Sequence, residues 1–426
     1  MVEKGVIKRI ILDSRRDIVN YKIINRHVPI DNFSCYIFVG VRRAGKSYLM
    51  YQEILKRLGS GSTWDDLLYF NFEDDRLSGF DIGDIDKILE CHIELGGSDK
   101  PMFFFDEIQN VEGWEKYARR LADAKNRVWI TGSNARMLSS EMMSTLGGRY
   151  LSIEVYPFSF EEYLDALDVS HDEATMLSTV GKAEVERHFA EYFCWGGLPE
   201  SISLSAKRDY LSSTYQKIYL GDICIRDNVQ NPAILRLMIK KISESVKQPI
   251  SYSRIAKVLS TVGGKISMPT VANYISYCED AWLLLRLRNI TSSLADKETN
   301  CKYYFIDNGL LSLLLIDTNT TLLENVVALD LFRRYGHDAD NERLFFYNDR
   351  VEIDFYVPDA KMAIQVAYSI DESIDTSRRE IEALTKFAKL YPCDKRVIVT
   401  YYTRRTIEDE YGTIEVVPCA EWLLRL

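Results

Sequence analysis

Apolar runs alternate with segments of helical periodicity in the first third of the chain. The predicted strands are CYIFV (35–39), LLYFNFED (67–74), MFFFDE (102–107), RVWITGS (127–133) and RYLSIEV (149–155). Segments with helical spacing separate them, at 46–58, 85–95 and 114–124. Near-continuous hydrophobic strands that alternate with helices are typical of a parallel sheet covered on both faces. We therefore predict an α/β fold with a parallel sheet for this part of the chain.

The strand pattern disappears after residue 158 and returns in the last third of the chain. Residues 160–230 are predicted to be helical, with a turn at CWGGLPE (194–200), where two glycines and a proline interrupt the pattern. Helix starts at SYS and SMPT, followed by the apolar run WLLLRLRNI, predict a helix-turn-helix with a trailing strand. The tail, 301–426, is predicted to be mixed α/β. The sequence contains no internal repeat.

Composition narrows the class of protein. A chain of 426 residues is long for one compact core and suggests roughly two to four domains. The 46% hydrophobic and 27% charged residues are ordinary for a globular protein. The net charge of −10 argues against a broad, sequence-independent nucleic-acid binder, although it leaves room for a local basic patch.

Targeting signals and cysteines indicate the compartment. No apolar stretch reaches the roughly 18 residues that a membrane helix needs, and the first residues lack the pattern of a signal peptide. The eight cysteines contain no C-x-x-C pair, and several lie in apolar runs, which is typical of buried, reduced thiols. We expect a cytoplasmic protein that does not enter a membrane.

Residues 40–47, GVRRAGKS, carry the first candidate chemistry. The pattern G-x-x-x-x-G-K-[ST] is met in full by Gly40, Val41, Arg42, Arg43, Ala44, Gly45, Lys46 and Ser47. The glycines let successive backbone N–H groups face phosphate oxygens, and the following helix adds positive charge at its start. We expect Lys46 to reach the β- and γ-phosphates and Ser47 to offer its hydroxyl to Mg²⁺. The sequence therefore predicts a nucleotide-binding loop, with ATP and Mg²⁺ as the ligands.

Two acids end the predicted strand at 102–107, where α/β sheets place their ligands. Asp106 is suited to hold the metal together with Ser47, and Glu107 can polarise the attacking water as a general base. The alternative is a pair of solvated acids at the start of a helix. Together with the loop at 40–47, the acid pair favours hydrolysis of ATP.

Small polar residues follow the next strand, in ITGSN. Thr131, Ser133 and Asn134 lie where a γ-phosphate or its water could be sensed, but serine and asparagine are equally typical of a helix cap. Arg149, in GGRY, is a candidate arginine finger acting across a subunit boundary of a homo-oligomer, with a surface arginine in a turn as the alternative. The candidate catalytic residues are therefore Lys46, Glu107, Thr131, Ser133 and Arg149.

These motifs, followed by YPFSFEEYL, YFCWGGLPE, KYYFIDNGL and VEIDFYV, resemble the prokaryotic AAA+-type ATPases that carry a C-terminal domain of unknown function (DUF4143-like). The resemblance implies an ATPase core at 1–158, a helical lid at 159–230, a winged-helix-like segment at 231–292 and a restriction-endonuclease-like domain at 293–426. Our first hypothesis is a Mg²⁺-dependent ATPase in which nucleotide state moves the lid and the C-terminal modules against the core and so acts on a partner, DNA or a protein client. A nucleotide-gated switch with slow hydrolysis is the alternative.

The endonuclease-like domain is predicted to be degenerate, which leaves a metal-dependent nuclease as the weakest of the functions considered. A working site of this type needs carboxylates that hold Mg²⁺ and a lysine that supports the attacking water. Glu324 and Asp354 can supply two acids, but Gln365 and Ala367 stand where an acid and the lysine are needed. The possible reading helix at 270–280 carries no Arg or Lys, so a role in packing or partner binding stands beside one in reading DNA.

Overall fold

The chain folds into two compact units, which we describe one at a time. The computed structural model describes residues 2–28, 30, 35–138, 140–291, 293–316, 319–336, 343–370 and 375–425. The first unit is Met1–Val155 and the second is Tyr156–Leu426. The finer division into four domains stays a prediction.

The first unit is built on a sheet of five strands. They are β1 (Cys35–Val39), β2 (Leu67–Asn71), β3 (Met102–Asp106), β4 (Val128–Gly132) and β5 (Leu151–Glu154). Their order in space is β2-β3-β4-β1-β5, and every neighbouring pair is parallel. The first four are almost wholly buried, as expected for a sheet covered on both faces. The predicted α/β class and parallel sheet are confirmed.

Helices flank this sheet. They are α1 (Lys4–Ile18), α2 (Lys46–Gly59), α3 (Asp86–Glu94), α4 (Trp114–Asp123) and α5 (Ser140–Leu146). The helix α1 has no counterpart in the sequence-based prediction. Its isoleucines, Ile7, Ile10, Ile11 and Ile18, are buried at helical spacing, and the helix packs on α3 and β2.

The second unit begins with helices in the range predicted to be helical. They are α6 (Phe160–Ala166), α7 (Glu173–Leu177), α8 (Thr179–Trp195), α9 (Lys207–Lys217) and a π-helix at Ile218–Ile225. Ser159 and Glu162 form a capping box at the start of α6, which satisfies two backbone N–H groups there. The remaining helices are α10 (Pro232–Ser243), α11 (Tyr252–Gly263), α12 (Met268–Asp280), α13 (Leu294–Thr299), α14 (Asn308–Ser312), α15 (Asn319–Tyr335), α16 (Asp375–Ala388) and α17 (Cys419–Leu424).

A mixed sheet of nine strands runs through the rest of the second unit. Its strands are β6 (Ile250–Ser251), β7 (Leu284–Asn289), β8 (Asn300–Phe305), β9 (Phe345–Asn348), β10 (Glu352–Val357), β11 (Met362–Val366), β12 (Lys395–Thr400), β13 (Arg405–Asp409) and β14 (Gly412–Pro418). Their order in space is β13-β14-β12-β11-β10-β9-β7-β8-β6. The predicted domain boundary after residue 292 therefore falls between two paired strands, β7 and β8. The hairpin of β13 and β14 has no counterpart in the sequence-based prediction.

Two sequence-based expectations concern the environment of the chain. Within the described ranges, every helix is too short or too polar to cross a bilayer. All eight cysteines are free thiols, and six of them are buried, whereas Cys393 is partly exposed and Cys194 is exposed.

A buried carboxylate joins two distant segments of the second unit. Asp307 follows β8 and is 1% exposed. It accepts hydrogen bonds from the backbone N–H groups of Gly197 at 2.7 Å, Gly309 at 2.8 Å and Leu310 at 3.2 Å. The segments CWGGLPE and KYYFIDNGL therefore meet at this side chain, although more than a hundred residues separate them in the sequence.

We expect Asp307→Ala to lower the free energy of unfolding by at least about 2 kcal/mol, because three buried N–H groups lose their acceptor. Urea unfolding followed by far-UV circular dichroism measures the change. Asp359→Ala is the matched control, since that side chain is 65% exposed and should change stability by less than about 0.5 kcal/mol. Equal stabilities of the two variants would show that Asp307 does not stabilise the junction of these two segments.

Candidate functional site

The loop at 40–47 connects β1 to α2 and depends on its two glycines. Gly40 and Gly45 have φ angles of 156° and 94°, in the region that favours glycine. A Cβ atom on Gly40 would lie 2.1 Å from the carbonyl oxygen of Val155, so a side chain does not fit there. Gly45 is the N-cap of α2, and the free N–H groups at the start of that helix therefore point towards the loop.

Lys46 places a cation inside the curve of this loop. Its side chain is 4% exposed, and its Nζ donates to the carbonyl oxygens of Gly40 at 3.0 Å and Val41 at 3.1 Å. The same Nζ lies 3.8 Å from Oε1 of Glu107. The ammonium group thus stands between the loop carbonyls and the carboxylate of a neighbouring strand.

Asp106, at the end of β3, is buried and is held by hydroxyl groups from three elements. Tyr69 of β2 donates to its Oδ2 at 2.7 Å, Thr131 of β4 donates to its Oδ1, and Ser47 of α2 also hydrogen-bonds to it. Burial and the Glu107 carboxylate raise the pKa of Asp106, and the hydroxyl groups act against this rise. The adjacent oxygens of Ser47 and Asp106 are the hard ligands that Mg²⁺ prefers, so this pair fits that ion.

Thr131 fixes the geometry of both acids. Its hydroxyl accepts a hydrogen bond from the N–H of Glu107 at 3.0 Å and must therefore direct its own proton to Asp106. Glu107 has a φ of 52°, a left-handed conformation that is uncommon for residues other than glycine and is often found at functional sites. The spatial order of the sheet explains the contact, because β4 lies directly beside β3.

Several groups hold the side chain of Glu107. Its Oε2 accepts from Gln109 Nε2 at 2.5 Å and from Ser133 Oγ at 3.1 Å. Burial alone would raise the pKa of Glu107, but Lys46, Gln109 and Arg42 lower it below its ordinary value. Glu107 is therefore an ionised carboxylate at neutral pH, with its charge directed at the loop.

Two other sequence-based candidates lie outside this hydrogen-bonded group among the described residues. Asn134 accepts from the N–H of Arg136 at 2.9 Å, which is the helix-cap alternative raised by the sequence. Arg149 forms an ion pair with Asp123 and donates to the carbonyl oxygen of Gly147 at 3.0 Å. Its role as an arginine finger stays a prediction.

The two loop arginines are more exposed than Lys46. Arg42 pairs with Glu73 at 2.9 Å, and Arg43 is exposed with a φ of 66°. Ala44 closes the turn with an N–H that donates to the carbonyl oxygen of Val41 at 3.2 Å.

Three residues that shape the site could not be predicted from the sequence. Tyr69 lies in the middle of an apolar run, and nothing in that run marks its hydroxyl as a partner of Asp106. Gln109 follows Glu107 by two residues, and this short spacing is the one available signal. Arg26 is buried, and its guanidinium donates to the carbonyl oxygen of Ala44 at 2.6 Å, a contact that no local pattern indicates.

Two segments of the chain match known protein families. Residues 32–164 match the AAA domain family, and residues 186–321 match a domain of unknown function (DUF8612). The first match supports a nucleotide-binding domain of the AAA type. The second identifies no activity, and the DUF4143-like interpretation of the tail stays a prediction.

Relatives extend over nearly the whole chain. An uncharacterized protein of Methanocaldococcus jannaschii, MJ1544, is 32% identical over 440 residues, which cover 100% of this chain and 96% of that protein. An uncharacterized protein of Haemophilus influenzae is 32% identical over 403 residues, which cover 91% of this chain and 94% of that protein. The Walker-type ATPase PABY2304 of Pyrococcus abyssi covers 74% of this chain and 96% of its own, at 14% identity and a TM-score of 0.38.

We expect Thr131→Val to lower the free energy of unfolding by about 1–3 kcal/mol, because the Glu107 N–H and an Asp106 oxygen lose a buried partner. Thr131→Ser keeps the hydroxyl and is the matched control, so its stability should stay closer to that of the wild type. Urea unfolding of the three proteins makes the comparison. If the valine and serine variants were equally stable, the Thr131 hydroxyl would not be the group that holds the two acids in place.

Proposed function

The chain carries an AAA domain and belongs to the same family as the uncharacterized protein MJ1544 of M. jannaschii, and from this premise we propose that it binds and hydrolyses ATP with Mg²⁺. The observation that carries the proposal is the glycine-bounded loop at 40–47, with Lys46 inside its curve and the acid pair of β3 facing it. A turn lined by backbone N–H groups at a helix start is suited to phosphate, and the acids are suited to the cation and the water.

Each residue has a distinct role in this proposal. The loop N–H groups and Lys46 bind the phosphates. Ser47 and Asp106 would hold Mg²⁺, which would neutralise phosphate charge when bound. Glu107 accepts a proton from the attacking water as general base. Thr131 and Ser133 hold the two carboxylates in position from the neighbouring strand.

Lys46 links binding to activity. Its ammonium contributes to the lowered pKa of Glu107. Once Lys46 turns to the phosphates, Glu107 loses part of this stabilisation, and its pKa rises towards the ordinary value for a glutamate. A carboxylate of higher pKa is a better proton acceptor, so occupation of the loop would strengthen the base.

Val155 offers a route from the loop to the second unit. Its N–H donates to the carbonyl oxygen of Val39 at 2.7 Å, and its own carbonyl oxygen leaves no room for a Cβ on Gly40. The chain enters the second unit at the next residue. We propose that a change in the loop shifts this connection and moves the lid and the C-terminal modules, which would act on a partner in the cytoplasm.

The partner is proposed to be DNA or a protein client. The order of α10, β6, α11, α12, β7 and β8, with β6 paired to β8, supports the winged-helix interpretation of this segment. Arg254, Lys257 and Lys265 are exposed there and could contact phosphates of a nucleic acid. α12 itself carries no Arg or Lys, which favours contacts to the backbone over reading of bases.

A nucleotide-gated switch with slow hydrolysis is the second candidate. The observation in its favour is that Glu107 is engaged by Lys46, Gln109 and Ser133. ATP turnover measured alone and with single-stranded DNA, duplex DNA and RNA separates the two candidates. Stimulation by one of them supports the ATPase and names the partner class, whereas a barely detectable rate that none of them raises favours the switch.

We expect Lys46→Ala to weaken ATP binding by about 10–100-fold, because a charge-assisted contact to the phosphates is lost. Titration calorimetry with ATP and Mg²⁺ measures the affinity. Lys56→Ala, which changes an exposed lysine of the same helix, is the matched control and should bind as the wild type does. Unchanged affinity in Lys46→Ala would end the phosphate-loop interpretation.

Glu107→Gln is expected to keep ATP affinity while turnover falls by about 100-fold or more, since the amide cannot accept the proton of the attacking water. Phosphate release under saturating ATP reports the rate. Glu112→Gln alters an exposed glutamate nearby and should leave the rate unchanged. A Glu107→Gln protein with wild-type turnover would exclude Glu107 as the base.

A further inference from the structure

A cleft of about 620 Å³ lies in the second unit. The polar residues that line it include Glu324 of α15, Asp354 of β10, Gln365 of β11 and Glu380 of α16. All four are at least nine-tenths buried. Glu324 and Asp354 are the two residues that the resemblance to endonuclease-like domains assigns to a divalent metal ion.

A lysine from a different strand reaches the two acids. Lys302 of β8 has a side chain that is 0% exposed. Its Nζ lies 2.9 Å from Oδ1 of Asp354, 3.2 Å from Oε1 of Glu324 and 3.8 Å from Oε1 of Glu352. The resemblance expects a lysine at position 367, on the strand after Asp354, but Ala367 stands there. A cation therefore reaches these two acids from a different strand, β8.

Other polar groups around the two acids are hydrogen-bonded to one another. Gln365 Oε1 accepts from the N–H of Asp354 at 2.8 Å, and its Nε2 donates to Glu380 Oε2 at 2.7 Å. The second oxygen of Asp354 accepts from the N–H of Val366 at 3.0 Å. Tyr304 donates to Glu324 Oε1 at 2.8 Å. The amide of Gln365 thus donates to the carboxylate of Glu380, which an acid at position 365 would repel.

Charge explains why the ammonium is retained. The Nζ of Lys302 contacts carboxylate oxygens of both Asp354 and Glu324, and negative charge at this distance favours the charged form of a lysine. A buried charge is tolerated only when a partner compensates it, and here one lysine compensates two acids.

These residues do not fit a divalent cation. Mg²⁺ binds oxygen ligands at about 2.0–2.1 Å. The ammonium group of Lys302 contacts both candidate ligands, so it occupies the place that the ion would need and repels the ion. We propose that Lys302 takes the place of a metal ion between Glu324 and Asp354, that the two acids therefore form a metal-free cluster, and that removal of the Lys302 charge opens a divalent-cation site on them. This inference concerns the second unit and does not depend on the proposed ATPase activity.

The test is titration of Mn²⁺ into nucleotide-free, full-length protein, monitored by electron paramagnetic resonance of the free ion. Lys302→Met keeps the length of the side chain without its charge. We expect this variant to bind an additional Mn²⁺ ion relative to the wild type, and the double variant with Asp354→Asn to lose it again. A folded Lys302→Met protein that binds no additional Mn²⁺ would overturn the proposal.

A second comparison decides the question even if Lys302→Met fails to fold. Wild type and Asp354→Asn should give superimposable Mn²⁺ titrations, because the cleft binds no metal in either protein. Acids of the first unit are unchanged in both, so any weak binding there cancels. Loss of a bound Mn²⁺ in Asp354→Asn would overturn the proposal, as would Mg²⁺-dependent cleavage of plasmid DNA that Asp354→Asn abolishes.

Discussion

A carboxylate that is removed from water must be compensated by its neighbours, and the compensation of Asp106 organises the first unit. Its partners come from the strand on each side, Tyr69 and Thr131, and from the helix after the glycine loop, Ser47. Each partner ties a separate element to the end of β3. The parallel pairing of the sheet then brings the loop, both acids and the polar end of β4 to one edge.

The second unit contains two further sites where buried carboxylates are compensated, and the compensating groups differ between them. Asp307 is compensated by backbone N–H groups, and the result is a fixed junction between segments that are distant in sequence. The negative charges of Glu324 and Asp354 are compensated by the ammonium group of Lys302, and the resulting polar cluster leaves no room for a metal ion. In both units, buried charge holds elements together, whereas the apolar side chains supply most of the burial.

Local patterns predicted the parallel sheet and the glycine loop because strand burial and loop chemistry depend on neighbouring residues. The helix α1 was not predicted, since many charged residues lie between its four isoleucines in the sequence. Tyr69 and Lys302 escaped prediction for another reason. Each acts across strands that are far apart in the sequence, and a tyrosine or lysine in an apolar run carries no mark of its partner. That Gln365 and Ala367 replace the expected acid and lysine could be predicted from the sequence. The role of Lys302 as the substitute cation could not.

Three carbonyl oxygens of the glycine loop accept hydrogen bonds from cationic side chains. Lys46 covers those of Gly40 and Val41, and Arg26 covers that of Ala44. The dipoles that would repel an anion are thereby neutralised from within the chain. The loop is shaped during folding, so little conformational freedom remains to be lost when a ligand arrives. Preorganisation of this kind makes affinity sensitive to residues such as Arg26 that never approach the ligand.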